Sequence, residues 1–137
     1  MYISKKVYSM NNKLISIAAI LAFLAVALGA FCAHTLNELL TTVKQNSFET
    51  GVRYQFYHSL ALLIIGLNAN KLNATDLIGK FMLIGIVFFS FSIYLLSLQE
   101  LIGINLSILG PITPIGGFLL MISWLILIFK NYKKTEL

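Results

Sequence analysis

The chain has little charge, little proline and almost no cysteine. Only 11% of its 137 residues are charged, whereas 58% are hydrophobic, and it contains two prolines and one cysteine, Cys32. A single cysteine excludes an intrachain disulfide. A soluble domain carries about 25% charged residues. The charged residues of this chain are too few to cover an apolar interior of this size. The composition therefore predicts an integral membrane protein whose first partner is the lipid bilayer.

The net charge of +5 raises the question of a nucleic-acid partner. The basic residues lie beside long apolar runs and do not form a stripe interleaved with aromatic side chains. Such a stripe is the usual sign of nucleic-acid binding. We therefore expect no nucleic-acid partner.

Apolar runs of about the length of a bilayer-crossing helix recur along the chain. They predict an all-α fold, a four-helix bundle in the membrane, with spans at about 14–34, 48–68, 77–98 and 112–130. Residues 14–130 would form the single domain, preceded by a cytoplasmic arm, 1–13, and followed by a cytoplasmic tail, 131–137. The second span is the weakest, since its purely apolar stretch covers only 60–67, but helices one and three need a return path.

The lysines and the single arginine predict the orientation of these spans. With four crossings, eight of the ten basic residues fall on the side of the two termini, and only Lys44 and Arg53 fall on the other. Cytoplasmic segments carry this excess of basic residues. The sequence thus predicts a multi-pass protein of the bacterial inner membrane with both termini in the cytoplasm (N-in/C-in). Trp124 and Tyr132 are expected toward the cytoplasmic interface.

Polar residues within the spans are costly and normally face the bundle interior. At helical spacing, one side of the second span carries a stripe made of Gly51, Gln55, His58, Ser59, Leu62 and Gly66. On another side Glu49 and Arg53, four residues apart, can form an ion pair. The third span carries Ser90, Tyr94 and Ser97 on one face, and Thr113 has the chemistry of an N-cap for the fourth helix.

With the predicted orientation, these polar positions gather in the outer half of the membrane. This predicted polar cluster comprises His34, Glu49, Arg53, Tyr54, Gln55, His58, Ser90, Tyr94 and Thr113. An intramembrane group of ionisable and polar residues is a functional-site hypothesis by default. The alternative is that the cluster holds the helices together.

Four segments in this order resemble the motifs of the YgdD-like small inner-membrane proteins, the family labelled domain of unknown function 423. They read GAFCAH at 29–34, FETGVRYQFYH at 48–58, FSFSIYLLSL at 89–98 and LGPITPIGG at 109–117. The resemblance implies a four-helix protein of the bacterial inner membrane and supplies no established activity. The chain departs from the family at Cys32 and Phe91, where glycine is usual, and both changes add bulk in the outer half.

Three functional readings remain open at this point. The first is a structural or accessory membrane component that contacts other membrane proteins, with no cofactor. The second is a small-solute or ion transporter or channel subunit, which would need a homo-oligomer because four helices enclose little space. The third is a metal- or haem-binding protein using His34 and His58, although no HxxxH or CxxC spacing supports it. No Ser-His-Asp arrangement or carboxylate pair indicates catalysis, so an enzyme is disfavoured and no catalytic residue is assigned.

Overall fold

The computed structural model describes residues 10–132, which are helical apart from short connections and contain no strand. The all-α prediction is confirmed within this range. The parts of the predicted arm and tail at 1–9 and 133–137 lie outside the described residues. Four long helices follow one another: α1 Asn12–His34, α2 Thr42–Leu67, α3 Thr75–Ile102 and α4 Ile112–Asn131.

Local side-chain chemistry sets several of the helix ends. The Asn11 side chain accepts a hydrogen bond from the backbone N–H of Leu14 at 3.0 Å, which caps the start of α1. At the end of α3, Gly103 adopts a left-handed conformation with φ 67°, which glycine tolerates without strain. The predicted N-cap role of Thr113 is wrong. The helix begins at Ile112, directly after Pro111, whose φ of −65° already suits a helix.

Helices α1 and α2 are antiparallel neighbours along their whole length. At one end the backbone N–H of Asn11 donates to the carbonyl of Gly66 at 3.0 Å. Toward the other end Gly29 lies so close to Val52 that an added Cβ would stand 3.3 Å from the valine Cγ1. Between them Ala18 and Ala25 are fully buried. Small residues on α1 thus allow the close approach that apolar helices need when lipid supplies no hydrophobic drive.

Helices α3 and α4 meet even more closely, at glycines. A Cβ added to Gly116 would lie 2.6 Å from the carbonyl carbon of Phe88, and one added to Gly85 would lie 2.7 Å from a methyl group of Leu120. The crossing at Gly116 falls where α3 contains a π-helical segment, Val87–Phe91. Sequence reasoning did not predict this segment. Because a π-bulge shifts the register of the following turn, it sets which α3 side chains face α2 and α4.

The buried apolar side chains form two clusters with polar residues between them. The larger cluster lies toward the end of the molecule where α1 begins, and comprises Leu14, Ala18, Leu62, Ile65, Ile78, Met82, Ile86 and Leu120. The smaller one contains Cys32, Leu36, Phe48 and Tyr94 near the opposite end. Cys32 is completely buried in it, so the predicted added bulk of this side chain is accommodated within the core.

Three helical segments are long and apolar enough to cross a membrane by length and composition, namely Asn12–His34, Thr75–Ile102 and Ser107–Asn131. Helix α2 is not among them, although its 26 residues would extend about 39 Å. Between residues 49 and 58 it carries Glu49, Arg53, Gln55 and His58, which lower its mean hydropathy. The predicted number of crossings and the predicted span ranges therefore stay predictions.

Candidate functional site

The side chain of Gln55 joins three helices at one point. It projects from α2 and is fully buried. Its Nε2 donates to the carbonyl oxygen of Leu21 on α1 at 2.8 Å. Its Oε1 accepts a hydrogen bond from the Tyr94 hydroxyl on α3 at 2.8 Å. Because one amide supplies both a donor and an acceptor, a single glutamine satisfies groups on two neighbouring helices.

The surroundings of Gln55 depend on a glycine one turn earlier. The ring of Tyr94 occupies the space beside Gly51, where an added Cβ would stand 2.7 Å from the tyrosine Cε1. The Ser90 hydroxyl donates to the Gly51 carbonyl at 2.8 Å, again joining α3 to α2. Phe48 covers the other side of the tyrosine, with ring centroids 4.6 Å apart. Any side chain at position 51 would push Tyr94 away from Gln55.

His58 lies one turn further along the same face and connects α2 to α4. Its Nδ1 is 2.7 Å from the carbonyl oxygen of Tyr54, and its Nε2 is 3.1 Å from the Trp124 indole nitrogen. A carbonyl only accepts and an indole N–H only donates, so Nδ1 carries the proton and Nε2 accepts. The two contacts therefore select one neutral tautomer. A cation or metal at Nε2 would have to displace the indole.

A further hydrogen bond joins α3 to α4 beside the π-helical segment. The Ser92 hydroxyl hydrogen-bonds the carbonyl of Phe88, and Thr113 Oγ1 lies 2.6 Å from Ser92 Oγ. Since the serine proton is committed to a carbonyl, the threonine is the donor of the second bond. The sequence placed Thr113 in the polar cluster, but its partner Ser92 was missed.

The structure brings together only part of the predicted polar cluster. Gln55, Ser90 and Tyr94 share one interhelical contact region, His58 adjoins it, and Thr113 joins through Ser92. Tyr54 contributes its carbonyl and stacks its half-exposed ring on Phe89 with centroids 4.7 Å apart. The rest of the predicted cluster lies outside this region: His34 and Arg53 are exposed, and Glu49 is half-buried.

One further expectation needs correction. The predicted Glu49–Arg53 ion pair does not form; within residues 10–132 the one salt bridge joins Lys44 to Glu100 at 3.9 Å. Arg53 instead donates to Thr50. Trp124 is 42% exposed and points its indole N–H at His58, a partner that the sequence pattern did not indicate. Its expected place at the cytoplasmic interface stays a prediction.

The potential metal ligands are dispersed. Across the described range, no three His, Cys, Asp or Glu side chains lie close enough to hold a metal ion. His34 is exposed at the end of α1. His58 uses its Nε2 for Trp124. The arrangement offers no position at which His34 and His58 join a third such ligand.

A groove opens at the end of the molecule near the α1–α2 connection. It has a volume of about 170 Å³, and its lining combines Lys44, Ser47, Ser97 and Thr113 with the apolar Ile93 and Leu96. The Ser97 hydroxyl is buried there without a hydrogen-bond partner among the described residues. Lys44 Nζ donates to the carbonyl of Leu96 at 3.2 Å. The groove thus combines one hydroxyl that is unpaired within residues 10–132 and one cation with a mostly apolar lining.

Comparison with known proteins identifies the family. The family model described as "Protein of unknown function (DUF423)" matches residues 28–117. A Bacillus subtilis protein named UPF0382 membrane protein YwdK is 41% identical over 122 residues, covering 87% of this chain and 95% of its own length. A UPF0382 membrane protein of Staphylococcus epidermidis is also 41% identical, over 120 residues, with 87% and 94% covered.

A Haemophilus influenzae protein with the same family name is 36% identical over 129 residues, covering 93% of this chain and all of the relative. No solved structure gives a significant match. The relatives are named membrane proteins, in agreement with the apolar helices seen here. Four sequence motifs, a family match across most of the helical region and relatives matched nearly end to end lead to one conclusion: the chain belongs to the DUF423 family of small membrane proteins.

Proposed function

We propose that the chain crosses the bacterial cytoplasmic membrane four times, with both termini in the cytoplasm. Helix α2 contacts α1 from Gly66 to Val52, so a bilayer that encloses α1 also encloses most of α2. The polar stripe of α2 then faces α1, α3 and α4 and avoids lipid. The end where α1 begins also carries the lysines Lys13, Lys71, Lys80 and Lys130, as the inside of a membrane protein does.

Labelling of loop positions tests this topology. Asn37, Asn70 and Asn105 are exposed and lie in the three connections between helices. Each is replaced by cysteine in a Cys32→Ala background and treated in intact spheroplasts with a membrane-impermeant maleimide. We expect Asn37→Cys and Asn105→Cys to react from outside and Asn70→Cys to react only after lysis. Reaction of Asn37→Cys and Asn70→Cys from the same side would mean that α2 does not cross.

Within this topology we propose a structural or accessory role, in which the polar side chains hold the helices in one arrangement. The observation that carries the proposal is the bridge from Gln55 to Leu21 and Tyr94. Gln55, Ser59 and Ser90 are fully buried and each has a hydrogen-bond partner within the protein, which is what a structural contact requires. Paired polar groups at membrane depth stabilise helix association and fix its register.

Replacement of Gln55 tests the structural role. Gln55→Leu keeps the volume but leaves the Tyr94 hydroxyl without its acceptor, and we expect a loss of about 1–3 kcal/mol in the free energy of unfolding. Gln45→Leu is the matched control, since this glutamine lies on α2 and is half-buried, with no side-chain hydrogen bond among the described residues. Equal stability of the two variants would contradict the proposal.

The second candidate is an oligomeric small-solute or ion transporter subunit, and the groove at Ser97 favours it. The groove offers a cation and hydroxyl groups at the outer side. Directly inward of it, α4 touches the α3 backbone at Gly116, which closes the way through one copy. Purified protein in vesicles should therefore give no ion flux above protein-free vesicles. Flux that Ser97→Ala abolishes while the fold is retained would favour the transporter.

A further inference from the structure

The single arginine of the chain has an unusual position. Arg53 is exposed on α2, on the side turned away from the buried stripe. Its guanidinium donates one long hydrogen bond, 3.4 Å, to Thr50 Oγ1, and no carboxylate within the described residues lies in ion-pair range. A guanidinium has five N–H donors, so most of them are unused. A cation in this state at membrane depth is costly, and an anionic partner would stabilise it.

The depth of Arg53 follows from its neighbours. The preceding residue, Val52, contacts Gly29 of α1. Gly29 lies four residues, or about 6 Å, before the end of the uncharged run 14–33. Thr50, which receives the hydrogen bond, is one turn nearer the start of α2. The side chain thus bends toward the α1–α2 connection, as a long cationic side chain does when it reaches from the hydrocarbon to the headgroups.

A groove between α1 and α2 begins at Arg53 and continues inward. Its volume is about 240 Å³, and small or apolar residues line it, with Ala30 beside the arginine and Val26 and Phe56 further inward. The residues of α1 are small here, which is why the surface is concave. A groove that is apolar along its length and cationic at its headgroup end is complementary to an anionic amphiphile.

We propose that this groove binds an anionic phospholipid of the leaflet on the side of the α1–α2 connection, which is the outer leaflet in the proposed topology. The Arg53 guanidinium binds the phosphate and one acyl chain lies along Ala30, Val26 and Phe56. Arginine suits the role better than lysine, because its planar fork donates two parallel hydrogen bonds to a phosphate. The inference rests on the proposed crossing of α2.

Phosphatidylglycerol is the probe for the test. The full-length protein, purified in a mild detergent, is titrated with dioleoyl-phosphatidylglycerol, with dioleoylglycerol, which lacks the phosphate, and with glycerol phosphate, which lacks the chains. Bound lipid is counted by native mass spectrometry and stability by the unfolding midpoint. We expect phosphatidylglycerol alone to bind and to raise the midpoint, because the site needs both the anion and the chain.

Variants separate the two halves of the site. Loss of a charge-assisted hydrogen-bonded contact in Arg53→Gln should weaken phosphatidylglycerol binding roughly tenfold or more. Arg53→Lys should have an affinity for phosphatidylglycerol between those of wild type and Arg53→Gln. Ala30→Leu fills the groove at an exposed position and should weaken binding although the arginine is intact. Lys80→Gln removes an exposed positive charge from α3 and is the matched control, expected to bind as wild type.

Two results would overturn the proposal. One is phosphatidylglycerol binding that Arg53→Gln and Ala30→Leu leave unchanged. The other is a homodimer that protects Arg53 and excludes the lipid, which would assign the groove to a second copy of the chain. The loop-labelling experiment is independent of both. If the loop cysteines label on alternate sides of the membrane but lipid binding does not depend on Arg53, only the lipid proposal is refuted. If Asn37→Cys and Asn70→Cys label from the same side, the proposed topology, on which the lipid site rests, is refuted.

Discussion

Replacement of the two adjacent glycines of α4 by alanine gives a sharp test of how α3 and α4 are held together. At Gly116 an added Cβ would stand 2.6 Å from the carbonyl carbon of Phe88 and 2.8 Å from the Cα of Phe89. At Gly117 the nearest atom would be Cδ2 of Phe89 at 3.5 Å, an ordinary van der Waals contact. The two substitutions are chemically identical and differ only in what the new methyl group meets.

The expected free energies follow from that difference. Glycine in a helix interior is about 1 kcal/mol less favourable than alanine, so Gly117→Ala should leave stability unchanged or raise it by up to about 1 kcal/mol. Overpacking costs about 1–3 kcal/mol, and Gly116→Ala belongs at the upper end because its methyl group meets backbone atoms. Backbone cannot rotate aside as a side chain does. The helices must separate, which also stretches the Ser92–Thr113 hydrogen bond.

Unfolding in mixed micelles by titration with SDS measures both variants, with helicity followed by circular dichroism. Emission from Trp124, the one tryptophan of the chain, follows the α2–α4 contact in the same samples. We expect Gly116→Ala to unfold at clearly lower SDS than wild type and Gly117→Ala at the same level or higher. If the two variants unfold together, the close crossing of α4 on the π-helical segment is wrong.

Two further predictions concern side chains on either side of Gln55. Trp124→Phe keeps an aromatic ring but removes the donor to His58 Nε2. It should lower the free energy of unfolding by about 0.6 kcal/mol, the average for a hydrogen bond between membrane helices. Tyr132→Phe, at an exposed tyrosine, is the control and should leave that free energy unchanged. Cys32 is fully buried, so a water-soluble maleimide should label it only after denaturation, whereas Asn46→Cys in a Cys32→Ala background should react at once. The packing described here would be contradicted if Trp124→Phe lowered the free energy of unfolding equally in a background that lacks His58. Prompt labelling of Cys32 in the native protein would also contradict it.

The buried face of α2 was predictable from spacing alone. All six residues of its predicted stripe, from Gly51 to Gly66, are buried. The same holds for Ser90, Tyr94 and Ser97 on α3. A helix repeats every 3.6 residues, and polar groups at membrane depth avoid lipid, so period and polarity together identify the interior side. Neither rule needs to know which helix lies opposite.

Partners across helices were not predictable in the same way. The spacing of Glu49 and Arg53 fitted an ion pair on one helix, yet Arg53 turns toward Thr50. Thr113 fitted an N-cap, yet it serves as a donor to Ser92. Spacing indicated no partner for Trp124, yet its indole N–H donates to His58. In each case the observed partner depends on the rotamer of the side chain or on which helix lies opposite. Neither can be read from the separation of residues along the sequence.

The sequence by itself determined that the described chain is helical and which sides of α2 and α3 are buried, because these depend on residue types at short separations. Only the tertiary structure decided that Gln55 joins Leu21 to Tyr94, that His58 receives Trp124 and that Arg53 stands over an apolar groove. Those contacts depend on the rotation and depth of each helix. Glycine contacts and the π-helical segment set both, and they arise only when the helices meet.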